Sequence, residues 1–246
     1  MARLILDIGN TRTKIAVMAN NEVIEVHTVG HLNSDILQEL CNLHNINKAI
    51  ASVVGTSPDF DLILPEFLKP NFHLLSHRSR LPIRIDYATP QTLGTDRLAA
   101  VVGASTLAPD ADLLVVDAGT CITTDFLSAD GTYHGGSIAP GINMRLKALN
   151  TFTAALPLVE KKADNNGAPY RLTGNSTEAS IQSGVFNGVI FEIQGFVNNY
   201  LNDHPALKLF LTGGDADFFA KRLFFPNFAS PNLVYFGLNK ILDMNV

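Results

Sequence analysis

Two apolar runs open the chain, "RLILDI" from Arg3 and "TKIAVMA" from Thr13, and each reads as a β-strand. Asn20-Asn21 is a hairpin turn signal leading into a third strand, "EVIEVHTV", so the opening is a β-meander. In "NSDILQELCNLH" the residues Ile36, Leu37, Leu40, Cys41 and Leu43 fall on one helical face, with Asn33 or Ser34 as cap. "KAIASVV" and "FHLLS" are short strands, and "PDFDLILPEFL" between them is a weaker helix candidate. "TDRLAAVVGASTLAP" reads as a helix that ends before Pro109. Further on, "STEASIQSGVFNGVIFEIQGFVNNYLN" is a long helix, and "LKLFLTGGDADFFAKRL" is strand, Gly-Gly turn, helix. "LVYFGLNKIL" closes the chain as a strand followed by a helix.

The second half repeats the opening pattern. "DLLVVDAGTCITTDFLSADGTYHGGSI" is again strand, Asp-x-Gly turn, strand, turn, strand. Set side by side, "LILDIGNT" and "LVVDAGTC" place Asp7 over Asp117 and Gly9 over Gly119. A repeat of this kind implies two similar lobes, expected to span residues 1–111 and 112–246 with the boundary after the Pro109 helix stop. Two unrelated Asp-x-Gly turns that end strands by local turn chemistry are the alternative.

Composition narrows the function. With 246 residues and a net charge of −5, Lys and Arg scattered along the chain leave no nucleic-acid footprint and no basic membrane helix. No run approaches the length of a membrane span, and the N-terminus does not read as a signal peptide, so a cytoplasmic protein is expected. The two cysteines, Cys41 and Cys121, belong to no ligand pattern, and His73 and His77 lie in a strand and loop.

The turn "DIGNTRTK" carries the first candidate chemistry. Gly9 allows close backbone approach to a ligand, and Asn10, Thr11 and Thr13 can donate to anionic oxygens. Lys14 adds positive charge, and Asp7 is an oxygen ligand suited to Mg²⁺. A self-capped hairpin explains the same residues equally simply. The second turn supplies Asp117, Gly119, Thr120 and Thr123 in matching positions, so the pair would grip a polyphosphate from two sides. A third glycine turn, Gly213-Gly214, could accept an adenosine or simply cap a helix. In "YATPQTLGTDRLAA", Asp96 either caps its helix or takes a proton from a substrate hydroxyl, with Arg97 on a carboxylate or on transferring charge.

Six motifs in register resemble those of type III pantothenate kinase, in the acetate and sugar kinase/Hsp70/actin superfamily. They are "DIGNTRTK", "GTDR", "DAGTCITTDF", "GGSIAPGINM", "NSTEASIQSG" and "TGGDA". The resemblance implies an α/β fold of two similar ribonuclease H-like (actin-like ATPase) lobes, with mixed β-sheets flanked by helices. It implies ATP-dependent phosphorylation of pantothenate, with Asp7, Ile8, Gly9, Asn10, Thr11, Arg12, Thr13, Lys14 and Thr120 on ATP. It makes Asp96 the proton acceptor and places Tyr87, Gly94, Thr95, Asp96, Arg97 and Thr177 on pantothenate. Asp117 would ligate a monovalent cation, K⁺ or NH₄⁺, and Asp7 would serve Mg²⁺. A homodimer is implied, with the long helix near the interface. Departures from the family pattern are Thr95 and Cys121 in place of alanines and Ser180 in place of an apolar residue. Thr95 is the one that could alter the substrate pocket. The rival readings are another small-molecule kinase of the superfamily and a nucleotide-binding regulator without turnover.

Overall fold

The computed structural model describes residues 2–161 and 170–246. The chain divides into two compact units. One comprises Met1–Asp110 with Asp130–His134 and Asn232–Val246, and the other Ala111–Ala129 with Gly135–Pro231.

In the first unit, β1 (Ala2–Ile8), β2 (Thr13–Ala19) and β3 (Glu22–Val29) form the meander. Asn20 and Asn21 both take positive φ, 52° and 65°, and Ala19 pairs with Glu22 across the two-residue loop. Asparagine tolerates that region, so the turn chemistry fixes the register. Helix α1 (Ser34–His44) starts at Asn33, whose side chain accepts from Ile36 N–H at 3.0 Å. It buries Leu37, Leu40 and Cys41 against Leu4, Leu6, Ile15 and Val17. Leu43, expected on that face, is exposed. Strand β4 (Lys48–Val53) runs parallel to β1, the single-turn α2 (Phe60–Ile63) follows, and β5 (Phe72–Leu74) completes the sheet β3-β2-β1-β4-β5. The two-residue strand β6 (Arg84–Ile85) precedes α3 (Thr95–Leu107).

In the second unit, β7 (Leu113–Ala118) and β8 (Cys121–Leu127) are antiparallel, and β9 (Thr132–Pro140) follows; its first residues, Thr132 and Tyr133, pair with β6 and belong to the first unit. Helix α4 (Ile142–Thr151), not anticipated in "INMRLKALNT", buries Ile142 and Leu146. The long helix is α5 (Thr177–Gln182), a π-helical stretch Ser183–Asn187, and α6 (Gly188–Asp203). Then come β10 (Lys208–Thr212), parallel to β7, the short α7 (Ala216–Ala220), and β11 (Asn227–Ala229). Apart from β6 at its edge, the six-stranded sheet has the order β9-β8-β7-β10-β11, which reproduces β3-β2-β1-β4-β5. Strand directions agree as well, since β4 and β5 continue in parallel from β1 as β10 and β11 do from β7. The repeat in sequence is therefore a repeat in topology.

The chain end differs from expectation. "LVYF" is not a strand but the first turn of α8 (Leu233–Asn245), which belongs to the first unit instead of continuing the second. Leu233, Gly237, Leu238, Ile241 and Leu242 are all buried, at helical spacing. Gly237 meets α3 at Gly103, where a Cβ on either glycine would collide with backbone of the other helix. Two glycines let the helix axes approach closely, and that contact outweighs the strand propensity of Val234, Tyr235 and Phe236. Arg3 adds an ion pair to Asp243 at 2.6 Å. Contacts of α3 and α8 with β4, and of α8 with β1, cover the sheet face opposite α1. Among the described residues no helix is long and apolar enough to cross a membrane.

Candidate active site

The first turn links β1 to β2. Asp7 and Lys14 are direct cross-strand partners, and Gly9 N–H donates to Arg12 O at 3.1 Å to close the loop. Asn10, Thr11 and Arg12 are exposed, while Thr13 is buried. Burial drives the Asp7 carboxyl up to a pKa of about 6, and the Asp96 charge pushes the same way, while Lys14 opposes both. Asp7 and Asp96 therefore lie close enough for their charges to interact. Tyr235 of α8, nearly fully buried, has its phenol pushed up first by burial and then by the Asp7 charge. The turn rests on the segment after β4: Val54 N–H donates to Ile8 O at 2.9 Å, and a Cβ on Gly55 would stand 3.1 Å from Gly9 O.

Asp96 and Arg97 occupy the first turn of α3. Gly94 is the N-cap and offers no side-chain bond; a Cβ there would sit 2.6 Å from Asp96 Oδ1. That oxygen accepts from Arg97 N–H at 2.8 Å, so Asp96 does cap an orphan helix donor. The capping contact fixes the carboxylate's orientation and does not by itself decide between a capping and a chemical role. Arg97 is buried, an uncommon place for a guanidinium and one suited to gripping an anion. Thr95 turns its hydroxyl into β4, 2.9 Å from Ser52 Oγ and 3.3 Å from Val53 O. Tyr87 stands 6.2 Å, centroid to centroid, from the fully buried Tyr133.

In the second unit, β7 and β8 flank the second turn, which Gly119 closes by donating to Cys121 O at 2.9 Å. Opposite Asp117 in the ladder lies Thr123, whose Oγ1 is buried without a hydrogen-bond partner. Gly213, at φ +89°, lies against Asp117 and Ala118, where a Cβ would strike both Asp117 Oδ1 and Ala118 O. Only glycine fits that position and that conformation. Gly141 N–H donates to Thr120 O at 3.0 Å, and its missing Cβ leaves room for the carbonyls of Gly119 and Thr120. Thr120 itself is exposed. Thr177 opens α5, capped by Ser176 through Ala179 N–H at 3.2 Å. It lines an apolar groove of about 890 Å³ with Arg145, Phe152 and Ile181.

The expected residues thus gather in two sets. Asp7 to Lys14, Tyr87 and Gly94 to Arg97 lie in the first unit, and Asp117, Thr120 and Thr177 in the second. Ser52, Tyr235 and Gly141 were missed. Ser52 had left a trace, as the one hydroxyl inside the apolar run "KAIASVV". Tyr235 had none, because its helix was read as a strand. Among the described residues no cluster of three or more His, Cys, Asp or Glu could hold a metal. A metal here would need a mixed set of carboxylate, hydroxyl, backbone and substrate oxygens.

The chain is similar to known proteins in both sequence and fold. A protein from Phocaeicola vulgatus called type III pantothenate kinase is 44% identical over 242 residues, covering 98% of each chain. Among solved structures, a Campylobacter jejuni protein described as a Baf family transcriptional activator is 26% identical with a TM-score of 0.61, covering 98% of this chain and 97% of that one. Component A of the Acidaminococcus fermentans (R)-2-hydroxyglutaryl-CoA dehydratase has a TM-score of 0.55 at 14% identity, covering 99% and 97%, a likeness of fold alone. The sequence profile of type III pantothenate kinase matches residues 3–199. The chain belongs to the type III pantothenate kinase family.

Proposed function

We propose that this chain transfers the γ-phosphoryl group of ATP to the primary hydroxyl of pantothenate, giving 4′-phosphopantothenate, the first step towards coenzyme A. The observation that carries this reading is the start of α3. There an oriented carboxylate, Asp96, stands beside a buried Arg97 and within charge range of Asp7 in the first phosphate turn. Asp96 accepts the hydroxyl proton as the substrate oxygen bonds to phosphorus and the bond to the ADP oxygen breaks. A loose transition state asks little of a base, so the work of Asp96 is orientation and late proton uptake. Arg97 holds the pantothenate carboxylate, with Tyr87 as a further contact. Lys14 and the exposed residues Asn10, Thr11 and Arg12 of the turn hold the ATP phosphates.

Two cations belong to this reading. The Asp7 carboxylate, raised to about 6 by burial, is a hard oxygen donor that a bound cation would return to its charged form. It suits Mg²⁺, which neutralises phosphate charge when bound with ATP. Asp117 suits a monovalent cation, K⁺ or NH₄⁺, and the orphaned Thr123 Oγ1 across the ladder is a second oxygen in need of a partner. We assign the protein to the cytoplasm as a homodimer. Exposed Ile138, Phe152 and Phe191 in the second unit are apolar surface that a second copy would cover.

A coupled assay of ADP release, with and without pantothenate, in Na⁺ and then K⁺, tests the reading. Pantothenate-dependent turnover that needs K⁺ and loses its K⁺ response in Asp117→Asn is expected; no turnover in either salt favours a regulator. Asp96→Asn should lower kcat by about 10²–10⁴-fold with pantothenate binding retained. Near-normal turnover in that variant sinks the base assignment.

A further inference from the structure

The start of α3 has an anchoring problem. Its N-cap is Gly94, which makes no side-chain bond, yet the first turn carries both Asp96 and Arg97. A helix end without a capping side chain leaves orphan N–H groups and frays readily. Asp96 answers one of those groups through Arg97 N–H. Thr95 ties the same turn to β4.

The Thr95 hydroxyl lies 3.3 Å from Val53 O and 2.9 Å from Ser52 Oγ. A carbonyl only accepts, so when Thr95 donates to Val53 O, Ser52 donates to Thr95 Oγ1, and the two hydroxyls link the α3 turn to the β4 backbone. Ser52 is fully buried, so its hydroxyl cannot turn to water instead. It also sits opposite Asp7 in the parallel register of β1 and β4. One residue further on, Val54 N–H bonds Ile8 O, and Gly55 backs Gly9 and Asn10. The end of β4 therefore grips the phosphate turn on one side and the Asp96 turn on the other.

We propose that Ser52 and Thr95 are positioning residues for phosphoryl transfer, their hydroxyl pair fixing the Asp96 carboxylate relative to the Asp7 phosphate turn. The proposal rests on the reading of Asp96 as proton acceptor. It also gives Thr95, the departure at the substrate motif, a role directed at β4 and not at pantothenate. Removing the hydroxyl should relax the distance between proton acceptor and phosphate turn while leaving each ligand's own contacts in place. The loss then falls on kcat and not on KM.

The test uses the full-length enzyme and four variants: Thr95→Val, which keeps shape and loses the hydroxyl, Thr95→Ser, which keeps the hydroxyl, Ser52→Ala, and the double variant Ser52→Ala/Thr95→Val. Since small misplacements at a reacting centre cost up to about 100-fold, Thr95→Val and Ser52→Ala should each lower kcat about 10-fold, with KM for ATP and pantothenate within about two-fold. Thr95→Ser should recover most of the lost kcat, and the double variant should be no slower than the slower single one, as expected of one shared interaction. Thermal unfolding of each variant is followed in parallel. Wild-type kcat in Thr95→Val, or single effects that multiply in the double variant, overturns the proposal, whatever happens to the melting temperature. Asp96→Asn is assayed alongside. If it turns over normally, the base assignment falls and the proposal with it; if it is inactive while Thr95→Val is unimpaired, the proposal falls alone.

Discussion

The two Asp-x-Gly turns occupy matching places in the two units, and the proposed function puts them to two uses. Each ends the first strand of a five-strand pattern, and each is backed by a glycine that comes from elsewhere in its unit, Gly55 for the first and Gly141 for the second. They part at the residue opposite the aspartate. Asp7 faces Lys14, whereas Asp117 faces Thr123. A lysine beside the carboxylate, with Arg12 in the loop, leaves the first turn with positive charge and exposed donors, the chemistry of phosphate binding. A hydroxyl beside the carboxylate gives the second turn an oxygen pair, which the proposed function assigns to a monovalent cation. The loops differ in length as well, four residues between Ile8 and Thr13 and three between Ala118 and Ile122, so the two turns are related but not the same.

Lys14→Met is the sharpest way to break the contrast. Loss of that charge should lower kcat/KM for ATP by about 10²–10³-fold, the scale of removing one electrostatic contact to a transferring group. It should also raise the Asp7 pKa above about 6, because Lys14 is the group that holds it down. A pH profile of ATP binding that stays in place would separate Lys14 from Asp7.

The supporting glycines should differ in how much they tolerate. A methyl at Gly141 would collide with two carbonyls of the second turn, whereas at Gly55 it would stand 3.1 Å from Gly9 O. Gly141→Ala should cost about 1–3 kcal/mol, the range for overpacking, and Gly55→Ala clearly less. Denaturant unfolding of both variants checks the order, and equal losses would mean that the turns are equally constrained.

Asp7→Asn should separate stability from activity. The folded pKa of about 6 lies above the ordinary 3.8, so ionising the buried carboxyl weakens the fold of the ligand-free protein progressively as pH rises from 3.8 to about 6. Stability is fully present below about pH 3.8 and falls as pH rises through 6. The asparagine variant should therefore be more stable at pH 8 by roughly 1–3 kcal/mol, with the gain shrinking towards pH 4, while phosphate binding is lost. Melting temperatures across that range decide it.

Much of this was legible from the sequence because it depends on neighbours in the chain. Both meanders, the Asn20-Asn21 turn and the Asn33 cap are local events, set by strand period, tolerance of positive φ and a side chain three residues from a helical N–H. The six motifs placed the candidate residues for the same reason, since phosphate turns are built from consecutive backbone. Where distant segments compete, local pattern failed. Leu43 shares the helical period of Leu40 but stays exposed. "LVYF" has strand propensity, yet Gly237 allows it to lie on α3 as helix, and burial there decides its state.

By itself, then, the sequence determined the duplicated strand pattern and the family to which the chain belongs. Tertiary structure alone decided that the last helix returns to the first unit. It alone set Ser52 against Thr95, Tyr235 near Asp7, and an unpartnered Thr123 hydroxyl across from Asp117. The physical reason is separation along the chain. Periodicity and turn chemistry act within a few residues, whereas desolvation, cross-strand charge and close backbone approach depend on what folding brings from far away.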